Sequence, residues 1–218
     1  MKKDSVFLGI AAGVLTVVLL TALAVGILLS GDRFYVFEIN NLAIEQSSGL
    51  EKDVILDNYN AVTEFLSPFN KQAFSMPDLP ASTEGVGHFE DVKAILLGLY
   101  IAGLISLTLI VPLFILFRKS FGKKTLMVTA GSVMALPLTG LAAIAVDFDW
   151  FFTLFHKIFF SNDNWIFDAV TDPVINILPE IYFIHCALII AAFWVLGSAA
   201  FFLAGIKRGR DPRAATPD

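Results

Sequence analysis

Three side chains in this sequence exchange protons near neutral pH: His88, His156 and His185. His88 stands in GVGHFEDVK, with two flexible glycines before it and Glu90 and Asp91 after it. One reading makes it part of a helix start, where the carboxylates favour the positive end of the helix dipole. The other makes it an acid or base whose ring is oriented by Asp91. His156 stands in FFTLFHKIFF. A helix over 150–160 puts Phe152, Phe159 and Phe160 one turn from it and Asp149 two turns before it on the same face. Asn162, Asn164 and Trp165 follow, and polar groups in so apolar a segment need partners or a purpose. Core packing and chemistry both stay open for His156. His185, among Ile184, Cys186, Ala187 and Leu188, reads as helix packing. Asp147 and Asp149 are orienting carboxylates or loop acceptors, Asn162 and Trp165 are candidate hydrogen-bond donors, and Glu180 is a helix-start acid.

The elements that must position these residues are set by the bilayer. The chain has 218 residues, 56% of them hydrophobic, with a mean hydropathy of +0.74, well above the roughly 45–50% of ordinary globular composition. Four stretches carry no charge: Val6–Leu29, Ala94–Phe117, Thr125–Val146 and Ile181–Ile206. Each is long enough as a helix to cross about 30 Å of hydrocarbon. The first is longer than the apolar run of a secretory signal and no A-x-A pattern follows it, so it reads as a retained span. Gly9, Gly13, Gly26, Gly98 and Gly103 are small residues suited to close helix packing. The expected fold is therefore all-α, one four-helix membrane domain over 1–218.

Charge fixes the orientation. The N-terminal end, the 118–124 loop and the tail hold ten basic and three acidic residues, whereas the 30–93 and 147–180 loops hold five basic and seventeen acidic. By the positive-inside rule both termini are cytoplasmic and the two large loops face outward. The net charge of −5 thus hides +7 inside and −12 outside, which argues against a nucleic-acid partner. All three histidines fall on the outer side. Within the first outer loop, Val54, Ile55, Asn58, Tyr59, Val62, Phe65 and Leu66 recur at helical spacing and Ser67-Pro68 ends the pattern, giving an amphipathic helix at about 51–66 against the bundle or bilayer surface. Arg33–Ile39 has weak strand alternation. Trp150 and Trp165 bracket the His156 segment as interfacial tryptophans do.

Several chemistries are excluded. Cys186 is the only cysteine, so no intrachain disulfide or thiolate cage forms. No G-x-S-x-G elbow, phosphate-binding loop or H-E-x-x-H motif occurs, and no histidine pair has single-helix metal spacing. Apart from His185 the spans hold no ionisable acid or base, which argues against an ion pathway.

Four segments in order, NYNAVTEFL (58–66), HFEDVK (88–93), DFDWFFTLFHKIFFSNDNW (147–165) and DPVINILPEIYF (172–183), resemble the bacterial lipoprotein intramolecular transacylase (Lit) family over nearly the whole chain. The resemblance implies transfer of the sn-2 acyl chain of a diacylglyceryl-cysteine to that residue's own α-amino group, giving a lyso-form lipoprotein. It implies diacylated lipoproteins as substrate, membrane lipid around the site, no cofactor or metal, and an active site on the outer face. By matching motif it makes His88 and His156 the catalytic pair. Such aminolysis suits histidine, since an α-amino group titrates near about 7.7–8.0 and imidazole near about 6.5, and because nucleophile and ester share one substrate no serine or cysteine nucleophile is needed. The competing classes are a non-catalytic factor that binds lipoproteins on its acidic loops, and a histidine-based metal or haem binder.

Overall fold

The computed structural model describes residues 5–210; Lys2, Lys3 and Arg213, counted above in the inner charge, lie outside them. Among the described residues there is helix and no strand. The helices are α1 (Val6–Leu29), α2 (Arg33–Asn41), α3 (Ile44–Ser48), α4 (Lys52–Leu66), α5 (Thr83–Leu116), α6 (Lys123–Val146), α7 (Phe148–Phe159), α8 (Val174–Ile177) and α9 (Glu180–Arg210), with a 3-10 turn at Arg118–Ser120. Four of them, α1, α5, α6 and α9, are long and apolar enough to cross a membrane.

Contacts group the chain into two compact units. One comprises residues up to Ala24, Leu99–Val146 and the chain from Leu188. Its helices expose large apolar side chains such as Leu104, Leu109, Ile115, Leu138, Leu196 and Leu203, the pattern of a bundle whose solvent is hydrocarbon. Its inner contacts are close because small residues permit them: a Cβ on Gly13 would lie 2.5 Å from Ser132 Cβ, and one on Gly103 2.6 Å from Ala22 Cβ. Gly98, expected to serve the same purpose, has open space beside it. Polar ties also join its helices, as in Trp194 Nε1 donating to Thr21 Oγ1 at 3.1 Å and Ser198 Oγ to the Ala130 carbonyl at 2.9 Å.

The other unit comprises Val25–Gly98 and Asp147–Ala187 and has a true core. Helix α4 buries Ile55, Asn58, Tyr59, Val62, Phe65 and Leu66, so the amphipathic helix is a core element and its apolar face meets protein. The strand expected at Arg33–Ile39 is instead helix α2. Tyr35, Glu38 and Ile39, three and four residues apart, share its buried face, and burying that stripe overrides the β preference of Phe34, Tyr35, Val36 and Phe37. Tyr35 stacks on Tyr59 at 3.7 Å between centroids, and Tyr182 meets Tyr35 edge-on at 5.4 Å. Asn58, fully buried, accepts from the Asp78 and Leu79 amides and donates to the Val54 carbonyl and Asp78 Oδ2.

Helix α5 begins eleven residues before the uncharged stretch that marked its span. With 34 residues it is about 51 Å long, so its first three turns, carrying Glu84, His88, Glu90, Asp91 and Lys93, exceed what a bilayer needs. Ser82 caps it, its Oγ accepting from the Gly85 amide at 2.9 Å. Hydropathy marks where charge stops, and capping marks where helix starts; here the two differ.

Candidate active site

The site lies wholly in the second unit and is built from the start of α5, from α7 and from the chain that follows α7. On α5, Phe89 points into the core, stacking on Phe74 at 4.4 Å, and Phe74 in turn meets Phe65 of α4 at 5.1 Å. Lys93 is pinned one turn later, its Nζ donating to the Asn70 carbonyl at 2.8 Å and lying 4.1 Å from the Phe65 ring centre. These anchors hold the adjacent face of the helix, which bears His88 and Asp91.

Helix α7 starts two residues earlier than its apolar pattern suggested, because Asp147 caps it: Oδ1 accepts from the Trp150 amide at 2.9 Å. That fixes the register of His156 two turns on. His156 Nδ1 lies 2.8 Å from the Phe152 carbonyl. A carbonyl only accepts, so Nδ1 carries the proton and Nε2 of the neutral ring is left as the basic nitrogen.

The two imidazoles come together. Their ring centres are 5.9 Å apart, and His88 and His156 are only 9% and 7% exposed. Aromatic rings enclose both. Phe160 lies 4.9 Å from His88 and 5.4 Å from His156, Phe167 meets His88 edge-on at 5.3 Å, and Trp165 stacks on His156 at 4.6 Å. Phe152 is 4.2 Å from His156. The expected one-turn neighbours Phe152 and Phe160 thus touch His156, whereas Phe159 is exposed.

Burial sets the protonation. His88, six residues before the uncharged part of α5, is pushed down to about 4, first by desolvation and then by the neighbouring His156, with Asp91 opposing. His156 is also lowered by burial, with its bond to the Phe152 carbonyl opposing. Both rings are therefore neutral at pH 7. Among the described residues His88 Nδ1 and Trp165 Nε1 are buried with no hydrogen-bond partner, which leaves two polar atoms of the site unsatisfied by protein.

Asp91 accepts from Asn162 Nδ2 at 2.9 Å, so these two residues, expected on separate elements, are one tie. Asp147 serves its own helix start, and Asp149 is exposed. His185 departs from the packing role expected of it: its Nδ1 is 2.8 Å from Oε2 of Glu38, a carboxylate 2% exposed that also accepts from Asn41 Nδ2 at 3.2 Å. A lone acid in FEINN gives no sign that Glu38 will be buried. Phe167 and Asp172 also carry no such sign, since an irregular segment has no period from which to read its facing. Among the described residues no three His, Cys, Asp or Glu side chains gather as metal ligands.

A helical protein with four helices long and apolar enough to cross a membrane, and with a buried pair of neutral histidines, defines a polytopic integral membrane protein. The profile of the lipoprotein intramolecular transacylase Lit matches residues 10–183, and the chain belongs to that family: it is a multi-pass membrane acyltransferase acting on lipoproteins. The solved structure of the membrane integral lipoprotein intramolecular transacylase Lit from Bacillus cereus is 33% identical, with a TM-score of 0.85 over 94% of this chain and 96% of that one. Two structures of the Bacillus cereus protein with a histidine replaced also match. The arginine variant is 31% identical with a TM-score of 0.81, covering 96% of this chain and 94% of that one. The alanine variant is 32% identical with a TM-score of 0.82, covering 96% and 95%. The comparison with curated protein sequences gives no match.

Proposed function

We propose that this transacylase moves the sn-2 acyl chain of the S-diacylglyceryl group to the α-amino group of the same N-terminal cysteine, with His88 and His156 as its catalytic residues on the extracytoplasmic face. The observation that carries this is the imidazole pair, 5.9 Å apart and enclosed by aromatic rings, in a chain with no nucleophile motif. The neutral amine attacks the ester carbonyl, its proton passes to Nε2 of His156, and that proton is passed on to the glycerol oxygen as the C–O bond breaks, which returns His156 to its neutral form. The tautomer imposed by the Phe152 carbonyl favours His156 as the base. His88 assists the oxyanion or the departing oxygen, and Trp165 Nε1, an unpartnered donor, suits the oxyanion. Asp91, tied to Asn162, orients the His88 turn. Phenylalanines around the pair accommodate acyl chains at the depth of lipid esters. The positive-inside rule supports the outward face, and the strongly acidic outer loops are unsuited to nucleic acid.

The test is mass spectrometry of the N-terminal peptide of a reporter lipoprotein from cells with and without the protein, and with His88→Gln or His156→Gln. The expected product has one N-acyl and one O-acyl chain and is lost in both variants. Unchanged acylation on adding the protein overturns the reaction and leaves a binding factor; normal product from either variant removes that histidine from the mechanism.

A further inference from the structure

The segment between α7 and α8 is irregular, yet two hydrogen bonds and a close approach to glycine fasten it to the start of α5, and His88 lies among them. Asn162 Nδ2 donates to Asp91 Oδ2 at 2.9 Å. Asn164 lies against Gly87, where a Cβ would come 3.0 Å from its Nδ2. Asp172, 4% exposed, accepts from the Ser82 amide on Oδ1 and from Thr171 Oγ1 on Oδ2, each at 2.8 Å. A Cβ built on Gly85 would overlap Asp172 Oδ1 and lie 2.9 Å from its Cγ. Glycine inside a helix costs about 1 kcal/mol relative to alanine, and neither Gly85 nor Gly87 has positive φ. What the two positions use is the missing Cβ, which lets the segment seat directly on the helix. The flexible glycines of GVGH are contact surfaces.

We propose, building on the reaction above, that Asp172 is a positioning residue for His88: it fixes the start of α5 and seats residues 160–173 through Gly85 and Gly87, so that Phe160 and Phe167 hold the His88 ring beside His156. Phe160 touches both imidazoles and Phe167 touches His88, so one segment sets the geometry of the pair. The tie depends on an acceptor oxygen at Oδ1 and not on the carboxylate's charge. The titratable groups that bear on His88 itself are His156 and Asp91.

The experiment uses the full chain in detergent with a diacylated lipopeptide as substrate. Turnover is measured alongside imidazole titration by nuclear magnetic resonance. Asp172→Ala is expected to lower kcat about 10- to 100-fold with a smaller change in KM, and to move the His88 titration up toward that of ordinary imidazole as water reaches the ring. Asp172→Asn, which keeps the accepting oxygen, restores most of kcat. Gly85→Ala is as harmful as Asp172→Ala in the wild type but adds little in the Asp172→Ala background, because the atom it would strike is gone. An unchanged His88 titration in Asp172→Ala overturns the positioning role even if turnover falls. Full turnover in His88→Gln instead removes His88 from the mechanism that this positioning serves, and no turnover in the wild type overturns the reaction itself.

Discussion

The depressed basicity of His88 makes the protein sensitive to acid at one identifiable position. Folding holds this imidazole at about 4, against 6.5 in the open chain. Between those values the unfolded chain binds a proton that the folded protein refuses. The stability associated with the neutral buried ring is thus complete above 6.5 and is lost as pH falls through the window toward 4. From the linkage relation, going from pH 7 to pH 5 costs about 2 kcal/mol at this residue, trimmed to about 1–2 kcal/mol by residual solvent screening at the rim of the site. For a chain of this size that is about 2–8 °C in Tm. The assay is thermal unfolding of the purified protein in detergent at pH 7 and pH 5, for wild type and His88→Asn. Other titrating groups act in both proteins, so the difference between the two acid-induced losses isolates His88. The variant is expected to lose about 1–2 kcal/mol less than the wild type on acidification. Equal losses refute the claim that burial sets the protonation of His88.

His156→Gln is expected to lower kcat about 10²- to 10⁴-fold. The wild-type acid limb of kcat/KM should follow the substrate amine near about 7.7–8.0, because burial keeps His156 neutral throughout that range; a limb at the usual imidazole value would contradict this. Asn58→Ala strips the Asp78 and Leu79 amides of their acceptor and should destabilise the protein by about 1–3 kcal/mol, read in the same unfolding assay. Gly103→Ile, where even a Cβ would come 2.6 Å from Ala22, should cost about 1–3 kcal/mol. Gly98→Ala, beside open space, should be neutral or stabilising by up to about 1 kcal/mol.

Some of the site was readable from the chain because its determinants are local. Helix α7 ends at Phe159, just before its apolar run gives way to polar residues, and His156 falls on the same face as Phe152 because helical spacing requires it. Asp147 escaped as a cap because its partner amide is recognised only when the backbone turns there. Glu38 and His185, 147 positions apart, carry no mutual signal in a single sequence; neither does the seat of Asp172 on Gly85, 87 positions away.

By itself the sequence determined the membrane class, the four apolar helices, the charge asymmetry of the segments between them and, through its motifs, the family. Each depends on composition or on short-range periodicity, which are properties of the chain before it folds. Tertiary structure alone decided that α2 is helical, that α5 extends beyond its uncharged stretch, and that two histidines 68 residues apart share one buried aromatic enclosure. Burial of a helical stripe, the cap at Ser82 and the seating of an irregular segment on two glycines are energies of contact between distant residues. They exist only once the chain has closed on itself.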